Sequence, residues 1–138
     1  MFIFVDTSAW LAIVNKKDKM HLKARHEYVK LLEEDVIFVT TDYVLSETLT
    51  RIRYDTGHRE AVKFYEIIND AHISKSLIIQ WIDPKIWHEA WQIFGKYADQ
   101  KFSVTDCTSF ITAKNLKIKK IFAFDEDFKT MGFWVVPD

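Results

Sequence analysis

Acidic residues in this sequence stand near the ends of apolar segments, where they could act together in chemistry. Asp6 directly follows the apolar run Phe2–Val5. Such a run, rich in aromatic and β-branched side chains, is typical of a strand buried on both faces of a sheet. Later acids lie near the ends of apolar runs or on a following helix: Glu47, Asp106, and Asp125 with Asp127. Because ligands bind at the carboxyl ends of strands in open α/β sheets, we expect these acids to converge on Asp6.

Several carboxylates in one cleft repel each other, so this arrangement favours a bound cation. The sequence offers no convincing set of Cys and His ligands for zinc. Oxygen ligands select hard cations, and Mg²⁺ or Mn²⁺ held by a few carboxylates is the usual solution beside phosphate. Such an ion polarises a phosphoryl oxygen and generates a hydroxide nucleophile at neutral pH. The chemistry that this spacing suggests is phosphodiester hydrolysis.

Each acid also has a plain structural interpretation. Asp6 suits the cap of the helix that follows, Asp106 suits a first helical turn, and Asp125 suits the start of a turn. Glu47 is spaced to pair with Arg51 one helical turn later, on a solvated face. Spacing alone leaves the structural and the catalytic interpretations open.

The elements that must position these acids alternate along the chain. The predicted strands cover Phe2–Val5, Val36–Val39, Leu77–Ile82, Ile121–Phe124 and Phe133–Val136. The predicted helices cover Ala9–Asn15, Lys19–Glu34, Asp42–Thr56, His58–Asp70, Pro84–Ala98 and Thr105–Leu116. This alternation predicts an α/β fold with a parallel sheet covered on both faces. Right-handed crossovers allow strands one and four to lie side by side, which would bring Asp6 and Asp125 together.

Capping residues mark several helix ends. Ser8 is suited to cap the first helix, and Thr40–Thr41 supply caps for the third. Gly57 stands where a left-handed residue is expected after that third helix. Asp83–Pro84 combine an Asp cap with a proline at the first helical position, a strong helix start.

Length and composition restrict the class of protein. The 138 residues predict one domain over residues 1–138, and 49% hydrophobic residues with few glycines and prolines predict an ordered core. The single Cys107 excludes an internal disulfide and suits a reducing compartment. No leader-like pattern opens the chain, and no apolar stretch approaches the roughly 18 residues of a membrane span. We therefore expect a cytoplasmic protein that makes no contact with membranes.

The charge balance excludes a global basic field. The chain has 19 basic and 20 acidic residues and a net charge of -1, so any contact with nucleic acid must be local. Candidates for such contacts are Arg51, Arg53, Lys16 and Lys17, each of which also suits an ordinary solvated surface.

Four sequence motifs together resemble those of the PIN-domain family, and especially its VapC-like toxin ribonucleases. They are Phe4–Ala9, Thr40–Glu47, Phe102–Asp106 and Phe122–Phe128. Each motif is weak alone, but their order and spacing match the family over nearly the whole chain. The resemblance implies a three-layer α/β/α sandwich with a central, mainly parallel sheet of four to five strands. It also implies a metal-dependent endoribonuclease.

The resemblance also assigns roles to individual residues and suggests partners. It implies that Asp6, Glu47, Asp106 and Asp125 are catalytic. Asp6, Asp106 and Asp125 would bind Mg²⁺ or Mn²⁺, and Asp127 would be an accessory metal ligand. The expected partners are an RNA substrate, a cognate antitoxin protein and a second copy of the chain in a homodimer.

Two other classes of protein remain open as alternatives. One is a non-catalytic module of the same fold that binds RNA or a partner protein. The other is a phosphotransfer protein with a phosphorylated aspartate, which the sequence favours less. A phosphatase of that type needs a second acid where Ser8 stands, and a receiver domain needs a lysine at the end of a late strand, which is lacking.

Overall fold

Five strands form one sheet in which every neighbouring pair is parallel. The computed structural model describes residues 1–138. The strands are β1 (Phe2–Val5), β2 (Ile37–Thr41), β3 (Leu77–Gln80), β4 (Lys120–Phe122) and β5 (Trp134–Val136). Their order across the sheet is β3-β2-β1-β4-β5. The predicted parallel sheet is confirmed, and β1 lies beside β4 as expected.

Seven helices connect and cover these strands. They are α1 (Thr7–Val14), α2 (His21–Glu33), α3 (Asp42–Asp55), α4 (His58–Ile73), α5 (Pro84–Lys96), α6 (Val104–Asn115) and α7 (Asp127–Thr130). The chain moves outward from β1 to β3 and then crosses back to β4, so right-handed connections place α1–α4 on one face and α5–α6 on the other. None of the helices combines the length and apolar character that crossing a membrane requires.

The centre of the core is β1. Its residues Ile3, Phe4 and Val5 are fully buried, because the strand has a neighbour on each edge and helices on both faces. Ile121 and Phe122 of β4 are equally buried. Because β1 and β4 are parallel neighbours, the segments that follow them leave the sheet side by side at its carboxyl edge.

Several element ends differ from the sequence-based prediction because side chains cap the backbone there. Helix α1 begins at Thr7, since Asp6 is its cap, and the expectation that Ser8 caps it is wrong. The predicted caps Thr41 and Asp83 are confirmed, and they accept the N–H groups of residues 44 and 86. Gly57 has φ 137° and immediately precedes α4, where a side chain would strain the backbone.

The region after β4 differs most from the prediction. This strand ends at Phe122 rather than Phe124, because the Phe124 N–H donates to a side chain and not to a strand. The short helix α7 follows, although the sequence pattern did not predict it. Both features place Asp125 in a bend and Asp127 at the start of α7, at the carboxyl edge of the sheet.

Candidate active site

Asp6 lies at the carboxyl end of β1, in the middle of the sheet. Its backbone N–H donates to the Phe122 carbonyl of β4 at 3.0 Å. The side chain is only 3% exposed, and its Oδ2 accepts the Ser8 hydroxyl at 2.7 Å. The Ser8 hydroxyl oxygen in turn accepts the Phe124 N–H at 3.0 Å. Ser8 therefore joins the end of β1 to the segment that follows β4 and fixes the Asp6 carboxylate between them.

The amino end of α6 supplies a second acid, Asp106. The Ser103 hydroxyl oxygen accepts the Asp106 N–H at 2.9 Å, and Asp106 Oδ2 accepts the Ser103 N–H at 2.9 Å. This reciprocal capping box satisfies two backbone donors at the helix start. It also holds the Asp106 side chain in one orientation, and it explains why α6 begins at Val104 rather than Thr105.

Three carboxylates meet at this edge. Oxygens of Asp6, Asp106 and Asp125 all lie within 4.8 Å of one another. They come from three segments that are distant in the sequence, and the strand order and the start of α6 bring them together. Each acid also has the structural role that the sequence allowed, since Asp6 caps α1, Asp106 belongs to a capping box and Asp125 accepts an N–H in a turn.

The electrostatics of this cluster disfavour three negative charges. Burial raises the pKa of Asp6 well above its ordinary value, and the neighbouring Asp125 carboxylate raises it further. Burial also raises the pKa of Asp125, with a further contribution from Asp106. These shifts mean that the ionised cluster lacks a compensating positive charge from the protein's own side chains.

Asp127 lies beside the three acids but outside the group whose oxygens meet. Its backbone N–H donates to Asp125 Oδ1 at 3.2 Å. Partial burial, together with the charges of Asp125 and Asp106, raises the pKa of Asp127 to about 6. Asp127 thus contributes negative potential to the cluster.

Glu47 faces the same cleft from α3. The cleft has a volume of about 390 Å³, and its lining includes the three clustered acids, Glu47 and Arg51. Arg51 makes an ion pair with Asp55, with its Nε 3.6 Å from Asp55 Oδ2, and none with Glu47. The structural interpretation of Glu47 as a partner of Arg51 is therefore wrong, and the exposed Glu47 side chain lines the cleft without an ion pair.

The turn between α1 and α2 adds residues that the sequence analysis did not assign to the site. Asp18 and Lys19 line the cleft, whereas Lys16, Lys17 and Arg53 do not. Asp18 Oδ1 accepts the Met20 N–H at 2.8 Å, as is common where a turn leads into a helix. A sequence can reveal this local turn but not the part of the molecule that the turn faces.

A family model described as the PIN domain matches residues 3–133. This chain belongs to the PIN domain family. The resemblance carried by the four sequence motifs is therefore confirmed. The acids at the carboxyl edge of this PIN domain lie within the matched range.

Curated relatives of this PIN domain are named as RNA-cleaving enzymes. It is 30% identical, over 95% of both chains, to the "23S rRNA-specific endonuclease VapC20" of Mycobacterium tuberculosis. It is 29% identical to the "VapC ribonuclease" of Archaeoglobus fulgidus, over 97% of this chain and 86% of the relative. These homologues confirm the expectation of an endoribonuclease of the toxin type.

Solved structures share the architecture of this PIN domain. The crystal structure of Mycobacterium tuberculosis VapC20, described as a sarcin-ricin loop cleaving toxin, superposes with a TM-score of 0.85 at 30% identity over 95% of each chain. The structure of FitAcB from Neisseria gonorrhoeae gives a TM-score of 0.69 at 15% identity over 99% of this chain and 97% of that one. The first comparison confirms the predicted α/β/α fold, and the second shows that the fold extends to distant sequences.

Proposed function

We propose that this PIN domain is a divalent-metal-dependent endoribonuclease whose catalytic acids are Asp6, Glu47, Asp106 and Asp125. The observation that carries the proposal is the meeting of three carboxylates within 4.8 Å at one edge of the sheet. Two of these acids, Asp6 and Asp125, have a raised pKa. A site that concentrates unbalanced negative charge is suited to a cation.

The donor set fits a hard cation. Every donor in the cluster is a carboxylate oxygen, which suits Mg²⁺ or Mn²⁺ rather than zinc or copper. Asp6, Asp106 and Asp125 would hold the ion, with Asp127 as an accessory ligand. When bound, such an ion polarises a phosphoryl oxygen and lowers the pKa of water.

The position of Glu47 supports a role on the attacking water. It lines the cleft that contains the three acids but stands apart from their cluster. We assign it the role of orienting this water and accepting its proton. In-line attack of the water oxygen on phosphorus would break the P–O3′ bond, and the leaving 3′ oxygen would take a proton from solvent, which gives a 5′-phosphate and a 3′-hydroxyl. Ser8 keeps the Asp6 carboxylate in place during this reaction through its 2.7 Å hydrogen bond.

The named activities of the relatives support RNA as the substrate and a cognate antitoxin as a partner. An RNA-cleaving toxin needs an inhibitor in the cell that makes it, and we place both proteins in the cytoplasm with the RNA. Expression of this protein alone should arrest growth, and co-expression of its antitoxin should restore it. A host that grows normally while making active enzyme would contradict this assignment.

The outer surface of α5 supports a homodimer. Trp87, Trp91 and Phe94 are 43%, 54% and 40% exposed, and the rings of Trp91 and Phe94 stack with centroids 5.5 Å apart. Aromatic residues of this kind are enriched at the centres of protein interfaces. Light scattering should give twice the monomer mass for the wild type and a smaller mass for Trp91→Ser. A wild type that is monomeric at high concentration would overturn the assignment.

Cleavage of RNA in Mn²⁺, in Mg²⁺ and in EDTA tests the central proposal. We expect cleavage with either ion and none in EDTA. RNA binding without cleavage under all three conditions would instead identify a non-catalytic binding module. Transfer of phosphate from a small phosphodonor to Asp6 would identify a phosphotransfer protein.

A further inference from the structure

A long groove lies between α5, α6 and the segment before β5, away from the acidic cleft. Its volume is about 920 Å³, and most of its lining side chains are apolar. Four lysines also line it: Lys96 on α5, Lys114 on α6, and Lys117 and Lys119 before β4. No aspartate or glutamate lines this lysine groove. It is therefore a local basic surface on a chain whose net charge is -1.

The positive charges of the lysine groove are not neutralised within the protein. The ion pairs of the structure are Arg51–Asp55 and Lys129–Glu126, and neither involves a lysine of the groove. The sequence contains no acidic residue between Cys107 and Phe124. Unpaired lysines that are close together raise the local positive potential and favour a polyanionic partner.

Aromatic rings accompany these lysines. Trp134 lines the groove and is 57% exposed, and Lys120 Nζ lies 4.4 Å from the centroid of its ring. Lys96 Nζ lies 5.5 Å from the ring centroid of Tyr97, which also lines the groove. Lysines for phosphates beside flat rings for bases are the combination that binds single-stranded nucleic acid. An acidic peptide would use the charges but has less use for exposed rings.

The lysine groove lies at the far ends of the two elements that carry the acids. Asp106 is in the first turn of α6 and Lys114 in the last, so the helix rise separates their backbones by about 12 Å. Lys120 begins β4, whereas Asp125 follows its end. An RNA that occupies both places must therefore extend well beyond the bond that is cut.

The groove also stays open in the proposed homodimer. At 3.6 residues per turn, Ile93, Lys96 and Tyr97 project from a different side of α5 than Trp87, Trp91 and Phe94. A second copy that covers the exposed aromatic side of α5 leaves the lysine groove accessible.

We propose that the lysine groove is a second RNA-binding surface, which holds single-stranded RNA outside the cleavage site through its phosphates and through stacking on Trp134. This inference rests on the proposed ribonuclease function, because that function supplies RNA as the ligand. The enzyme would then prefer RNAs long enough to reach from the cleft to the groove.

Binding of labelled RNA in EDTA tests the proposal without cleavage. Wild-type protein should bind an RNA of about 20 nucleotides more tightly than one of about 6, which has fewer phosphates and bases than the cleft and the groove can contact together. The variant Lys96→Gln/Lys114→Gln/Lys119→Gln should bind the longer RNA roughly tenfold more weakly. Its plot of log Kd against log salt concentration should be less steep by about 2, since each lost contact to a single strand removes about 0.7.

A charge-matched variant controls for net charge. Lys23→Gln/Lys30→Gln/Lys63→Gln removes three exposed lysines of α2 and α4 and should change the affinity by less than about twofold. Trp134→Leu removes the stacking ring without changing charge and should weaken binding of the longer RNA roughly fivefold or more. Far-ultraviolet circular dichroism should show that each variant is folded.

Four outcomes would overturn the inference. The first two are that the two triple variants bind RNA equally tightly, and that Trp134→Leu binds RNA as tightly as the wild type. The third is that the wild type binds polyglutamate as tightly as RNA. The fourth is that the groove variants lose oligomerisation but keep their RNA affinity. Failure of the proposed nuclease activity is a different result. A wild type that cleaves no RNA in Mn²⁺ or Mg²⁺, yet binds RNA through these lysines, would support the RNA-binding groove and contradict the proposed nuclease activity.

Discussion

The two ends of α6 and β4 carry opposite charges in different kinds of surroundings. At one end, Asp6, Asp106 and Asp125 each accept a hydrogen bond from a neighbouring residue, so their oxygens are held in place. At the other end, the lysines of the groove are exposed and make no ion pair. Fixed groups suit chemistry at a single phosphorus atom, whereas exposed, unpaired cations suit a flexible polymer that is recognised by its charge.

The dipole of α6 fits this division. A helix amino end favours negative charge and a carboxyl end favours positive charge, each by about 0.3–1 kcal/mol at exposed positions. Asp106 lies in the first turn and Lys114 in the last. The same helix therefore favours an acidic site at one end and a basic surface at the other.

The largest expected difference between the two ends is in the chemical step. Asp6→Asn, Glu47→Gln, Asp106→Asn and Asp125→Asn should each lower RNA cleavage by at least about 100-fold, because each removes a proposed metal ligand or general base. Their RNA affinity in EDTA should not fall, since a negative charge near the phosphates is lost. Turnover measurements and binding titrations on the same variants separate the two effects.

A matched control for these variants is Asp70→Asn, which removes an exposed acid of α4 outside the cleft. It should cleave RNA at the wild-type rate. The four-acid site would be wrong if any two of the catalytic variants kept near wild-type turnover with unaltered metal dependence.

Metal binding should stabilise the acidic end strongly. With free Mn²⁺ a hundredfold above its Kd, the free energy of unfolding should rise by about 2.7 kcal/mol, which is a shift of several degrees in Tm. Asp6→Asn should respond little, because it lacks one ligand. Thermal melts in EDTA and in Mn²⁺ measure both proteins, and an unchanged wild-type Tm would mean that the acids bind no ion.

A smaller effect is expected from the residue that positions Asp6. Ser8→Ala removes the hydroxyl that donates to Asp6 and accepts from Phe124. Loss of such a supporting contact should lower metal affinity and cleavage about tenfold and destabilise the fold by about 1 kcal/mol. Ser8→Thr keeps the hydroxyl and should restore most of the activity. Wild-type metal affinity in Ser8→Ala would show that this hydrogen bond positions nothing.

The smallest effect is a pH dependence in EDTA. The pKa of Asp6 is raised in the folded state, so the folded protein binds more protons than the unfolded chain between the two pKa values. The stability that Asp6 contributes is therefore complete below its unfolded pKa and is lost as the pH rises through the folded pKa. Folding raises the pKa of Asp127 from its ordinary value of 3.8 to about 6, so Asp127 acts in the same direction over that window.

Asp6→Asn has no ionisable carboxyl group at this position, so it does not lose this stability as the pH rises. Its side-chain amide oxygen can still cap α1. Its Tm relative to the wild type should therefore increase as the pH rises through the folded pKa of Asp6. Melts at several pH values in EDTA test this. A difference in Tm that is constant with pH, or an Asp6→Asn protein that melts lower at neutral pH, would mean that the acids do not repel one another.

Much of the local structure follows from short stretches of sequence. The apolar run before Asp6 forms β1, and Asp83 followed by Pro84 starts α5, as predicted. These features depend on side chains that contact a backbone only a few residues away. The ends of β4 and the start of α1 were predicted less well, because the Ser8 side chain bonds across the chain to Phe124 instead of capping its own helix.

The sequence by itself determined which acids follow strands and helix starts, and the PIN-domain resemblance that names the same residues. Only the tertiary structure decided that Asp127 lies outside the group of three and that Arg51 pairs with Asp55 rather than Glu47. The tertiary structure also decided the lysine groove, because its residues come from α5, α6 and the segments around β4. Strand order and crossover direction set the distances between such segments, and no interaction between sequence neighbours encodes them.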